Sequence, residues 1–172
     1  SWATACCCRT RSMPEPKFLA DEMLGTLARW LRIMGYDTEY ARDMADDEIL
    51  QHAAKGDRFI LTRDRELARR AGGRAMLVRS DDGAEQLEDV VRRFGLEFDE
   101  KRTRCTMCNS ELAPVTPEEA SEQVPPRVLE RHNEFLACPS CGRMYWKGTH
   151  WTGIREHINE AVRKARGNSG PR

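Results

Sequence analysis

Apolar positions in the first hundred residues switch repeatedly between strand-like runs and helical spacing. Lys17-Phe18-Leu19-Ala20-Asp21 is a short apolar run that ends in a carboxylate, as a buried strand would. Leu24, Leu27, Ala28, Leu31 and Met34 then recur on one helical face, and Gly35 stands where that helix should stop. Thr38 to Ala41 reads as a weaker second strand. Asp46 or Asp47 suits the N-cap of a helix reaching about Lys55, with Ile49, Leu50 and Ala53 inward. Arg58-Phe59-Ile60-Leu61-Thr62 is the clearest strand and runs toward Asp64. Leu67, Ala68 and Ala71 mark a short helix closed by Gly72-Gly73. Ala75-Met76-Leu77-Val78 is a fourth strand, and residues 84–94 a fourth helix on Leu87, Val90, Val91 and Phe94.

Strand and helix alternating in this way predict an α/β fold, a parallel sheet with helices on both faces. The alternation breaks over residues 97–104, a charged stretch that reads as a linker. Beyond it, Pro114, Pro117, Pro125 and Pro126 favour loop, with one helix expected from Arg127 to His132 and an amphipathic closing helix from Ile154 to Ala165. The expected organisation is a disordered leader (1–16), an α/β unit (17–100), a cysteine module (101–151), and a closing helix with a disordered tail (152–172).

Two C-x-x-C pairs define the cysteine module: Cys105-Thr106-Met107-Cys108 and Cys138-Pro139-Ser140-Cys141, 29 residues apart. This spacing lets four thiolates reach one tetrahedral zinc, and Asn109 and Gly142 suit the tight turns such knuckles need. Redox or disulfide pairs are the alternative. A structural zinc fills its coordination sphere with protein ligands, so the module should hold the fold together and leave chemistry to another site. Cys6, Cys7 and Cys8 are adjacent, and neighbouring side chains do not converge on one ion.

The 28 basic and 28 acidic residues give zero net charge, but they are unevenly spread. Residues 17–100 carry 14 basic and 19 acidic side chains, and residues 101–172 carry 12 and 8. An acidic unit joined to a basic one fits carboxylates gathered for cations beside a surface that holds an anion; ordinary solvated charge gives the same count. No run of 18 apolar residues predicts a membrane span. Zinc-type cysteine usage makes the cytoplasm the expected location.

In an open parallel sheet, ligands bind beyond the carboxyl ends of the strands. Asp21 and Asp64 fall there, Asp46 and Asp47 begin a helix that follows a strand, and Asp81 and Asp82 follow the fourth strand. Carboxylates gathered without matching cations are tolerable when they share Mg²⁺ or Mn²⁺, and two such ions can drive phosphodiester hydrolysis. Each acid also has a plain use as a helix cap or turn residue. Thr62 suits orientation of a ligand, and Arg63 suits a phosphate contact. Arg29 and Arg32, one helical turn apart, suit a grip on a nucleic-acid backbone. Trp146 and Lys147 suit base stacking and phosphate contact or, equally, packing; Trp151 reads as packing. The chain has no Gly-rich phosphate loop and no Ser-His-Asp arrangement.

Five blocks in order carry a resemblance: residues 18–32 (FLADEMLGTLARWLR), 35–37 (GYD), 46–50 (DDEIL), 60–67 (ILTRDREL) and 138–151 (CPSCGRMYWKGTHW). Together with the paired knuckles they resemble the PIN-like ribonucleases that carry a C-terminal zinc ribbon, the unit found at the C-terminus of Mut-seven-type proteins. The resemblance runs from Lys17 to about Val162. It implies a PIN-like sheet and metal-dependent RNA cleavage, with Asp21, Asp46 and Asp64 as the catalytic acids around Mg²⁺ or Mn²⁺. Asp47 is the fallback for Asp46, and Glu66 is the nearest candidate for a fourth acid. The residues alone leave two other readings open: a non-catalytic RNA-binding module, and a protein-interaction module that docks a partner nuclease through the ribbon.

Overall fold

A computed structural model describes residues 14–167; the Cys6–Cys8 run, most of the expected leader and the tail beyond Gly167 lie outside the described residues. Four parallel strands, β1 (Lys17–Asp21), β2 (Thr38–Ala41), β3 (Arg58–Thr62) and β4 (Ala75–Leu77), form a sheet in the order β2-β1-β3-β4. Each of the first three is followed by a helix: α1 (Gly25–Met34), α2 (Asp46–Gly56) and α3 (Arg65–Ala71), with α4 (Gly83–Phe94) after β4. The expected α/β fold is therefore present.

Side chains alternate across each strand, and this alternation splits the core in two. Phe18, Ala20 and Leu61 face α1 and α4 through Leu27, Leu31, Leu87 and Val90. Leu19 and Ile60 face the other way, onto Ile49, Ala53 and Leu67 of α2 and α3. α7 (Thr149–Gly167) returns from the C-terminal side and adds Ile158, Ala161, Val162 and Ala165 to the first core. It begins at Thr149 rather than Ile154, so His150 and Trp151 lie in its first turn.

The proline-bearing insert is more ordered than its composition predicts. β5 (Ala113–Val115), β6 (Phe135–Ala137) and β7 (Met144–Trp146) form an antiparallel sheet in sequence order. Two short helices, α5 (Pro117–Ala120) and α6 (Pro126–Leu129), bridge β5 and β6, and Ala120, Val124 and Phe135 form a small core beneath them. This sheet and the two cysteine pairs are compatible with a zinc ribbon.

The stretch expected as a linker is bonded to the parallel unit. The Thr103 hydroxyl donates to Ile33 O at 2.8 Å, and Arg104 N–H donates to Arg32 O at 2.9 Å. Ile33 O is one of the last carbonyls of α1, which a helix leaves without an intrahelical partner, while Arg32 O also accepts from the Gly35 cap N–H at 3.0 Å. Gly35 makes the junction possible. Its φ is +101°, and a Cβ there would stand 2.8 Å from Arg102 Cβ.

Candidate functional site

Two regions gather the residues singled out from the sequence, and they sit at opposite edges of the parallel sheet. The first is the cysteine centre. In each knuckle the first cysteine's carbonyl accepts from the residue four positions on: Asn109 N–H to Cys105 O and Gly142 N–H to Cys138 O, both 2.9 Å. Each of those first cysteines also donates its own N–H to a carbonyl five positions on, Ser110 O at 2.8 Å and Arg143 O at 2.9 Å. Asn109 and Gly142 take φ of +66° and +74°, the left-handed turn that closes such a loop.

This repeated geometry brings all four sulfurs within 4.8 Å of one another. Cys105 Sγ is 3.5 Å from Cys141 Sγ, and Cys108 Sγ is 3.4 Å from Cys138 Sγ. A tetrahedral Zn–S₄ site with bonds of about 2.3 Å has sulfur–sulfur edges of about 3.8 Å, so the donor set fits. Hydrogen bonds from Ser110 hold the Cys108 thiol down to about 6. The Arg143 N–H acts to lower Cys141, but burial and the neighbouring cysteines push it up to about 11. The sulfurs thus resist ionising together, and a cation among them removes that resistance. The Tyr145 hydroxyl, 3.1 Å from Cys105 Sγ, buttresses the site, a role that no local spacing signals.

The knuckle is keyed into the amino edge of the sheet. Asn109 Oδ1 accepts from Thr38 N–H at 3.0 Å, and its amide donates to Asp37 Oδ1 at 2.6 Å. Arg58 donates to the same carboxylate at 2.7 Å and to Glu39 at 2.8 Å. Burial raises the Asp37 carboxyl, but the Arg58 and Asn109 hydrogen bonds outweigh it and hold the group below its ordinary value.

Arg32 corrects an expectation. It is buried, with Nε donating to Thr38 O at 2.8 Å and a terminal nitrogen donating to Thr106 O at 2.7 Å. Burial lowers its pKa, with the Cys105 and Cys108 sulfurs acting the other way. The guanidinium joins α1, β2 and the first knuckle and is not free to grip a nucleic-acid backbone. Arg29, one turn earlier, is exposed as expected.

The second region is the acid rim at the carboxyl edge. Asp21 closes β1, and its Oδ1 accepts from Glu22 N–H at 2.7 Å. Thr62, buried at the end of β3, donates its hydroxyl to Asp21 Oδ2 at 2.7 Å and accepts from Asp64 N–H at 3.0 Å. Asp64 Oδ1 caps α3 through Glu66 N–H and Leu67 N–H at 2.7 and 3.0 Å. Asp46 and Asp47 are the first two residues of α2; the N-cap is Ala45, not either acid. Glu48 instead reaches back to Ala45 N–H at 2.9 Å.

The rim is not free of matching cations. Arg70 lies 3.7 Å from Asp46 and pairs with Asp47, and Arg63 pairs with Asp81. Asp82 caps α4, and Glu66 pairs with Arg69 at 2.5 Å. Among the described residues, the four cysteines form a group of three or more donors within ligating reach, and Asp21, Asp46 and Asp64 do not. Arg70 carries no local sequence signal for this role, because its partners sit on another helix.

Trp146 is half-buried against the small ribbon core, and Lys147 pairs with Glu100 at 3.0 Å. Both line a cleft of about 540 Å³ that also takes in Tyr145 and Trp151. Trp151 packs against the main core, as expected.

The Mut7-C RNAse domain model matches residues 16–158. The chain belongs to the Mut7-C RNAse domain family. No curated protein and no solved structure matches it. Membership gives the Mut7-C chain a ribonuclease-like function and agrees with the resemblance carried by its sequence blocks. Among the described residues, no helix of this Mut7-C protein is long and apolar enough to cross a membrane.

Proposed function

We propose that this Mut7-C protein hydrolyses RNA phosphodiester bonds at the carboxyl edge of its parallel sheet. Asp21, Asp46 and Asp64 would hold Mg²⁺ or Mn²⁺ there, with Asp47 as the alternative to Asp46. The observation that carries this reading is the Thr62 bridge, one buried hydroxyl bonded to both Asp21 Oδ2 and Asp64 N–H. It fixes two acids at the ends of adjacent parallel strands, where ligands of open α/β sheets bind.

Carboxylate oxygens are the hard donors that these cations prefer. A bound divalent cation supplies charge that acidifies water and offsets charge building on the phosphoryl oxygens. The chain's own residues do the rest. Thr62 holds Asp21 in one orientation, and Asp64 spends Oδ1 on the α3 cap, leaving Oδ2 without a bond among the described residues. Arg70 is the resident counter-ion of Asp46 and Asp47, and a divalent cation held by those acids would take over its role. Arg29 and Arg63 contact backbone phosphates near the rim, and Trp146 and Lys147 meet a more distant part of the strand. The four-cysteine centre holds a structural zinc, which suits a reducing compartment such as the cytoplasm.

The caps and the Arg70 pairs give one specific observation in favour of a second reading, a non-catalytic RNA-binding module whose acids serve the fold. Cleavage of a mixed structured and single-stranded RNA pool with Mn²⁺ separates the two. Cleavage abolished by omitting Mn²⁺ and by Asp21→Asn, with zinc content retained, supports the nuclease; salt-sensitive RNA binding without cleavage supports the binding module.

A further inference from the structure

We propose that Arg63, Arg65 and Arg79 form a subsite that holds a phosphate of the RNA strand beside Asp64. These three arginines, with Leu77 and Val78, line a cavity of about 590 Å³ on the β4 side of the rim. Asp64 has an extended backbone, φ −80° and ψ 118°, so its two neighbours project away from its own side chain. The acid therefore caps α3 while Arg63 and Arg65 share the cavity next to it. Arg79 arrives from the β4 end. Val78 N–H donates to Thr62 O at 2.8 Å, which continues the β3–β4 pairing and sets Arg79 beside the end of β3.

Charge bookkeeping favours an anion in this cavity. Three guanidinium groups surround it over a floor of Leu77 and buried Val78. Among the described residues, Arg65 and Arg79 have no ion pair, and the partner of Arg63 is Asp81, whose side chain is 84% exposed. An exposed carboxylate is a weak competitor for a guanidinium, and a phosphate offers bidentate bonds to it. On the β2 side the corresponding cation, Arg70, is already committed to Asp46 and Asp47. The rim thus runs from neutralised acids over β2 to two arginines without an ion pair and one in an exposed pair over β4, and an RNA strand crossing it lays a phosphate at the β4 end.

The identity of the ligand rests on the ribonuclease reading, but the test does not require cleavage. Anisotropy of a fluorescein-labelled single-stranded RNA, with no Mg²⁺ or Mn²⁺ added and across a salt series, compares the full chain with Arg65→Ala/Arg79→Ala. The double variant should bind about tenfold more weakly at low salt, and its slope of log K against log salt should fall by about 0.7 for the one phosphate that loses its contacts. Asp81→Asn, which releases Arg63, should tighten binding. Both arginines are exposed, so thermal unfolding and zinc content should match wild type. Lysine at both positions should restore most of the slope, since charge sets it. Wild-type affinity and slope in the double alanine variant would overturn the subsite, as would a wild-type chain that binds no RNA. Arginine-dependent binding without Mn²⁺ cleavage would sink the nuclease reading and keep the subsite; cleavage with arginine-independent binding would do the reverse.

Discussion

At the amino edge of the parallel sheet, Arg32, Asp37, Thr38 and Arg58 all spend their polar groups on partners within the fold, several of them buried. At the carboxyl edge, Asp47, Asp81 and Glu66 meet arginines in pairs open to solvent. The edges are a strand length apart, about 13 Å along β1 at 3.3 Å per residue. Buried, mutually satisfied groups hold one arrangement because removing any partner strands another. Exposed ion pairs contribute little stability and are easily exchanged for a ligand. The amino edge is built to stay, and the carboxyl edge carries exposed pairs that a ligand can displace.

The largest effect expected at the amino edge comes from removing the proposed zinc. A structural zinc supplies roughly 10 kcal/mol or more of folding free energy in small zinc peptides, so Cys138→Ser should abolish zinc binding and leave residues 105–146 protease-sensitive. Because Arg32 and Thr38 bond directly to the first knuckle, the melting temperature of the whole chain should fall as well. An unchanged melting temperature in the metal-free variant would show that the two parts are energetically independent.

Arg32→Met is a smaller perturbation of the same joint. It keeps the length of the side chain but strands the Thr38 and Thr106 carbonyls, at a cost of about 3 kcal/mol in thermal unfolding. Arg29→Met, exposed on the same helix, should stay within about 0.5 kcal/mol of wild type.

Acid should loosen the amino edge in a predictable direction. The Asp37 carboxyl lies below its ordinary value in the folded chain, held there by Arg58 and Asn109 against the effect of burial. A group depressed on folding contributes stability fully above its unfolded pKa, about 3.9, and loses it as pH falls through the folded value. Asp37→Asn should therefore flatten the dependence of unfolding on pH below about pH 4, as followed by circular dichroism.

The smallest stability change belongs to the carboxyl edge. Arg70→Ala breaks exposed pairs and should shift unfolding by no more than about 1 kcal/mol. Its signature lies in Mn²⁺ affinity, which should rise once Asp46 and Asp47 lose their resident cation. Unchanged Mn²⁺ affinity would separate those two acids from the metal site.

Much of this contrast was legible in the sequence where the signal is local. The C-x-x-C spacing and the acids at strand ends depend on neighbours along the chain, and the strands and helices of the parallel unit follow its apolar periodicity. Features requiring distant partners were not legible. Arg32 lies off the apolar face of α1 and reads as a grip on nucleic acid; it is buried because the ribbon covers it. β5 contains Pro114, which argues against a strand, yet β5 is an edge strand that tolerates it. Gly153 weakens the first turns of α7 as a helix signal, which is why the helix appeared to begin at Ile154. Asp46 and Asp47 read as caps because aspartate favours that position; Glu48 supplies the reciprocal bond to Ala45 instead.

The most direct test of the whole account is Asp64→Asn, assayed for Mn²⁺-dependent RNA cleavage alongside zinc content and melting temperature. Asparagine caps a helix as well as aspartate does, so the fold and the zinc should be retained. The account predicts a loss of cleavage of at least about a hundredfold, in line with losing a group that acts on the transition state. Cleavage at the wild-type rate would contradict the assignment of chemistry to the carboxyl edge.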